Sequence, residues 1–133
     1  MVMVVGAVTS CAHGVPDHLE RERTLWERSS TMNYQFVYSL SIAACAAPGT
    51  ALVTVRHGAV TSTRTLTGRC TEVGSAPTID AMFAQLVTEY RQGFDVAVTY
   101  DPIYGFPRTA DVVKRGVMDD WSDEGVSGYK PLP

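Results

Sequence analysis

Few residues of this chain have the types and spacing that chemistry requires. His57, in Val53-Thr54-Val55-Arg56-His57-Gly58, has no Ser or Cys nucleophile beside it and no carboxylate at a spacing that would orient an imidazole base. An enzyme would have to gather His57, Asp101 and the acidic cluster Asp119, Asp120, Asp123 and Glu124 from distant parts of the chain, and that reading stands as the alternative. The cluster lacks the Asp-x-Asp-x-Asp-Gly order of a calcium loop and reads as a solvated acidic turn. Cys45 is flanked by Ala43, Ala44, Ala46 and Ala47, without the neighbouring cation that would activate a thiolate. Zinc would find at most Cys45, Cys70 and His57, without the paired spacings of a structural site. Neither a glycine-rich phosphate loop nor a nucleophile elbow occurs. The residues therefore name no catalytic group, no metal and no cofactor, and the expectation is a non-enzymatic binding or structural module.

The cysteines say more about setting than about reaction. The run Met1-Val2-Met3-Val4-Val5-Gly6-Ala7-Val8 is too short to span a bilayer, which takes about 20 apolar residues, but suits the apolar region of a signal peptide. Val8-Thr9-Ser10-Cys11 then resembles a bacterial lipobox, in which cleavage precedes a cysteine that becomes acylated. No Lys or Arg precedes the run, a departure from ordinary signal peptides. The favoured expectation is a domain held on the bacterial cell envelope by a lipid on Cys11, with the bilayer as its partner. Secretion after Ala12, or an apolar terminus with a chance cysteine, are the alternatives. Export to an oxidising compartment would let Cys45 and Cys70 pair, closing a loop worth about 3 to 4 kcal/mol in the chain-entropy model.

The chain of 133 residues divides into a signal segment and tether, residues 1–16, and a single domain, residues 17–133. A formal charge of -3 and no basic stripe argue against nucleic acid as a partner.

The elements follow from periodicity. Asp17 and Glu20 are spaced as an N-cap and its reciprocal partner, opening a helix anchored by Leu19, Leu25 and Trp26. From Tyr34 to Ile42 the pattern alternates, placing Tyr34, Phe36, Tyr38 and Leu40 on one face of a strand. Strands over residues 51–56 and 59–66 flank a two-residue turn at His57-Gly58, which sets Val55 opposite Val60. Residues 68–77 read as a loop. Thr78 then caps a helix whose stripe is Ile79, Met82, Phe83, Leu86, Val87 and Tyr90, with Glu89 on the opposite, solvated face and Gly93 as its stop. Further strands follow from Phe94 to Tyr100 and from Arg108 to Val113, with a weaker last strand somewhere in residues 117–133 anchored by Trp121 and Tyr129. Between the two clearer strands Asp101 and Pro102 open a turn that Gly105 relieves, and Tyr100, Asp101, Tyr104 and Phe106 form a candidate recognition loop.

Helix, strands, helix, strands, with a hairpin too tight for a crossover, gives an α+β fold: two layers, an antiparallel sheet of four to six strands, and two helices on one face. Trp26, Asn33-Tyr34-Gln35-Phe36, Val53-Thr54-Val55-Arg56-His57-Gly58-Ala59-Val60, Thr78-Ile79-Asp80-Ala81-Met82-Phe83, Val98-Thr99-Tyr100-Asp101 and Gly105-Phe106-Pro107 together resemble the DUF6174 family of bacterial lipoproteins and secreted proteins over about residues 19–120. The resemblance implies an exported domain with no known activity, cofactor or catalytic residues. Members often cluster cysteines right after the first strand, whereas here Cys45 is single and Cys70 lies across the hairpin.

Overall fold

The computed structural model describes residues 14–45, 47–114 and 120–133. Among these residues two helices, α1 (Asp17–Ser29) and α2 (Ile79–Arg91), accompany six strands: β1 (Tyr34–Ile42), β2 (Gly49–Arg56), β3 (Ala59–Gly68), β4 (Asp95–Tyr100), β5 (Pro107–Val113) and β6 (Trp121–Pro131). The strands form one open sheet in the order β3-β2-β1-β6-β5-β4, antiparallel at every neighbour. The α+β class and the antiparallel sheet are therefore as expected.

The alternation along β1 buries Tyr34, Phe36, Tyr38 and Leu40, and its register sets them across from the buried Val55, Val53 and Ala51 of β2. The β2–β3 turn holds both His57 (φ 52) and Gly58 (φ 79) in the left-handed region, the geometry that matches a hairpin's twist. Val55 pairs with Val60 as the two-residue turn requires. Trp26, Leu19, Ile79, Met82, Phe83 and Leu86 from the helices are fully buried, each worth roughly 1.5 to 3 kcal/mol for the aliphatic and phenyl side chains.

Several expectations need correction. Asp17 is the first residue inside α1, whose N-cap position is Pro16 with no side-chain cap, so the capping box does not form. Leu25 is only partly buried, leaving Leu19 and Trp26 as the anchors. The loop before α2 contains a 3-10 turn, Thr71–Ser75, that buries Val73. The weak last strand is β6, and it lies in the middle of the sheet, hydrogen-bonded to β1 and β5. The outer strands of the described sheet are accordingly β3 and β4.

Candidate functional site

The β4–β5 connection is built by local hydrogen bonds. Asp101 N–H donates to the Phe106 carbonyl at 2.8 Å, and Gly105 N–H returns to the Asp101 carbonyl at 2.9 Å. The Asp101 carboxylate accepts from the Ile103 and Tyr104 N–H groups at 3.0 and 2.8 Å, holding the turn against its own backbone. Gly105 is obligatory: its φ is +83°, and a Cβ there would stand 2.5 Å from the Glu22 carbonyl oxygen of α1. That close approach seats the turn on α1 and brings Phe106 to the Trp26 ring at 6.3 Å.

A ring cluster results. Tyr129 of β6 lies 4.7 Å from Tyr104, 5.4 Å from Phe106 and 5.4 Å from Trp26, centroid to centroid. Beside it opens a cavity of about 470 Å³, walled by the turn (Asp101, Pro102, Tyr104, Phe106), by Arg108, and by the β6 stretch from Val126 to Tyr129. Arg108 is exposed and makes no ion pair among the described residues. Apolar ring surface beside an uncommitted guanidinium suits a ligand with an apolar body and an anionic or acceptor group.

Trp26 ties this corner to α2. Its Nε1–H donates to Asp80 at 2.8 Å, the Tyr34 hydroxyl accepts from Ile79 N–H at 3.0 Å, and Thr78 Oγ1 accepts from Ala81 N–H at 3.1 Å. The first turn of α2 thus has partners for N–H groups that a helix start leaves open. Burial pushes the Tyr34 hydroxyl well above the ordinary tyrosine range.

Midway along β1, Tyr38 donates its hydroxyl to Glu124, which is only 9% exposed. Burial raises the Glu124 carboxyl, and the bond from Tyr38 partly offsets this. A cavity of about 260 Å³ opens there, lined among others by Tyr38, Glu72, Gln85 and Glu124. Cys45 and Cys70 form a disulfide beside it, with Cα atoms 5.2 Å apart, within the range such bridges span. Glu72 Oε1 lies 3.3 Å from Cys45 Sγ, but the bridged sulfurs carry neither a proton to donate nor a thiolate to bind metal.

These two regions share a fold whose family the sequence declares. The model of a family of unknown function, DUF6174, matches residues 18–127. The chain belongs to the DUF6174 family. No curated protein and no solved structure matches it.

Within this DUF6174 domain the residues singled out from sequence are distributed unevenly. Asp101, Tyr104 and Phe106 line the cavity at the turn; Tyr100 does not, stacking instead on Phe83 at 6.5 Å and meeting the His18 ring edge-on at 5.8 Å. His57 is at the exposed tip of the β2–β3 hairpin, its N–H donating to Asn33 Oδ1 at 2.9 Å. Sheet order separates β2 from β5 by three strand spacings, about 14 Å, so His57 and Asp101 are not neighbours. Within the acidic cluster Asp120 pairs with Lys114 at 3.0 Å and Asp123 is exposed across from Asp111, as a solvated segment allows, but both Asp123 and Glu124 lie on β6 rather than in a turn, and Glu124 is buried. Burial and then Asp111 raise the Asp123 carboxyl. Cys11 and Asp119 lie outside the described residues. Sequence reasoning missed Glu89, which is half-buried rather than solvated, and missed that Tyr38 and Glu124 meet. The only signal for the second was a carboxylate two residues from Val126 in a strand that alternates weakly.

Proposed function

We propose that this is a non-enzymatic binding domain of the cell envelope, recognising its ligand at the cavity beside the Asp101–Phe106 turn. The observation that carries the reading is the combination of that cavity with the ring cluster of Tyr104, Phe106 and Tyr129 and the unpaired Arg108, all held by a turn whose backbone is fixed on α1. A rigid turn presenting aromatic anchors loses little entropy on binding.

The architecture that supports it is a two-layer one, with α1 and α2 covering the sheet face that carries Phe36, Tyr38, Val53 and Val55. Ring contacts of Trp26 with Tyr34 and of Phe83 with Tyr100 favour this arrangement, as does the closeness of α2 to β4 and β5. Residues 17–133 then fold as the domain, and residues 1–16 supply the signal segment and tether. Acylation at Cys11 would hold the domain on the membrane, firmly with two or three chains and only weakly with one. Secretion without the anchor is the alternative. An envelope protein or smaller ligand with an acidic group is the expected partner.

A second reading is favoured by one observation: Tyr38, Glu124 and the neighbouring cavity place titratable groups in a concave site, as an enzyme would. Mapping by NMR separates the two. A library of small aromatic carboxylates and acidic peptides should perturb amides of residues 101–108 and 126–129, and Tyr104→Ala should abolish those shifts while the domain stays folded. Perturbations confined to Tyr38, Gln85 and Glu124 would replace the binding reading with the enzymatic one.

A further inference from the structure

Gln85 of α2 and Glu124 of β6 line one cavity, and one turn further along α2 Glu89 carries a buried carboxylate oxygen, Oε1, without a hydrogen-bond partner among the described residues. Glu124, buried on β6 and hydrogen-bonded by Tyr38, is near enough to act on it electrostatically. Two negative charges held partly out of water repel, and a proton on either of them removes that repulsion. We propose that Glu89 and Glu124 are a proton-operated latch between α2 and β6, closed while the pair holds a proton and loosened when both carboxylates are charged.

The surroundings favour this over simple neutralisation. From α2 itself Gln85 bonds Glu89, and from the end of β5 Lys114 faces it; both work against protonation but do not prevail. Lys114 is shared, since it pairs with Asp120 at 3.0 Å and sits 5.5 Å above the Phe94 ring. From β1 comes Tyr38, whose hydroxyl burial keeps protonated far above neutrality, so that it donates to Glu124 but supplies no charge. Burial first, then Glu124, brings the Glu89 carboxyl from its ordinary 4.5 up to about 7.

The direction of the pH effect follows. A group that binds its proton more tightly when folded stabilises the fold fully below its unfolded value and stops doing so above its folded value. Here the contribution is complete below about 4.5, declines through mildly acidic pH and is lost above about 7. An envelope domain with such a pair would loosen α2 as its surroundings turn from acidic to alkaline.

Two measurements on the purified full chain test this. In a carbon-detected NMR titration the Glu89 carboxyl should show a midpoint near 7. In thermal melts the wild-type should lose several degrees between pH 5 and pH 8, a loss that Glu89→Gln largely removes and that the exposed control Glu20→Gln leaves in place. A Glu89 midpoint near 4.5 overturns the proposal, and so does a Glu89→Gln variant whose melting temperature follows pH in parallel with the wild-type. The titration needs no substitution and decides the matter even if Glu89→Gln folds poorly.

Discussion

The Asp101 turn and the region of Glu89 and Glu124 treat a carboxylate in opposite ways. Asp101 accepts two backbone N–H groups of its own turn, so its charge is consumed in fixing a loop. Glu89 sits half-buried with an oxygen that accepts nothing, and Glu124 faces it with a phenol as its donor. A carboxylate bonded by two N–H groups of its own turn fixes architecture, whereas one left with a buried, unbonded oxygen is where the proposed proton response would act. The first corner presents rings beside a cavity of about 470 Å³, whereas the second gathers titratable groups around a smaller one of about 260 Å³.

Substitutions that break or sharpen this contrast differ widely in size. The largest effect belongs to Trp26→Ala, which removes a fully buried ring contacting Tyr34, Phe106 and Tyr129 and leaves Asp80 without its donor. It should cost about 3 to 5 kcal/mol in urea melts and disorder the Asp101 turn along with the core. Reducing the Cys45–Cys70 bridge, whose cysteines are 25 residues apart, should cost roughly 3.5 kcal/mol. Its amide-exchange footprint should fall on the 3-10 turn and the Glu72 cavity, not on the ring cluster; a footprint at Tyr104 instead would mean that the two regions are mechanically one. Asp101→Ala should cost about 1 to 2 kcal/mol, because two turn N–H groups lose their acceptor. Arg108→Ala, on an exposed side chain without an ion pair among the described residues, should change stability by less than about 0.5 kcal/mol while weakening any anionic ligand at the cavity.

The two regions also differ in how far the sequence exposes them. Asp101-Pro102, Gly105 and Phe106 act within one turn, so residue type alone announces their roles, and the same holds for His57-Gly58 and for the α2 stripe. Glu89 and Glu124 are brought together only by strand order. On a helix with a clear apolar stripe, Glu89 falls on what periodicity marks as the wet side, yet the fold leaves it half-buried, within electrostatic reach of Glu124 and Lys114. β6 hides for a related reason. Its Ser-Asp-Glu-Gly-Val-Ser-Gly run lacks the alternation of β1, because a central strand flanked by β1 and β5 gains its order from partners on both sides. Asp17 shows the converse: residue type invited a cap, but Pro16 with its preset φ already occupies the position.

The central claim, that the domain meets its ligand at the Asp101 turn, is tested most directly by site-specific photo-crosslinking in intact cells. Ile103 at the turn is 70% exposed and Met32 beside the β2–β3 hairpin is 62% exposed, so a photoreactive residue at either position reports on an accessible apolar site without disturbing the core. The account predicts a discrete adduct, identified by mass spectrometry, from position 103 and none from position 32, with the adduct lost in Arg108→Ala. Equal labelling from both positions, or an adduct from position 32 alone, would contradict it.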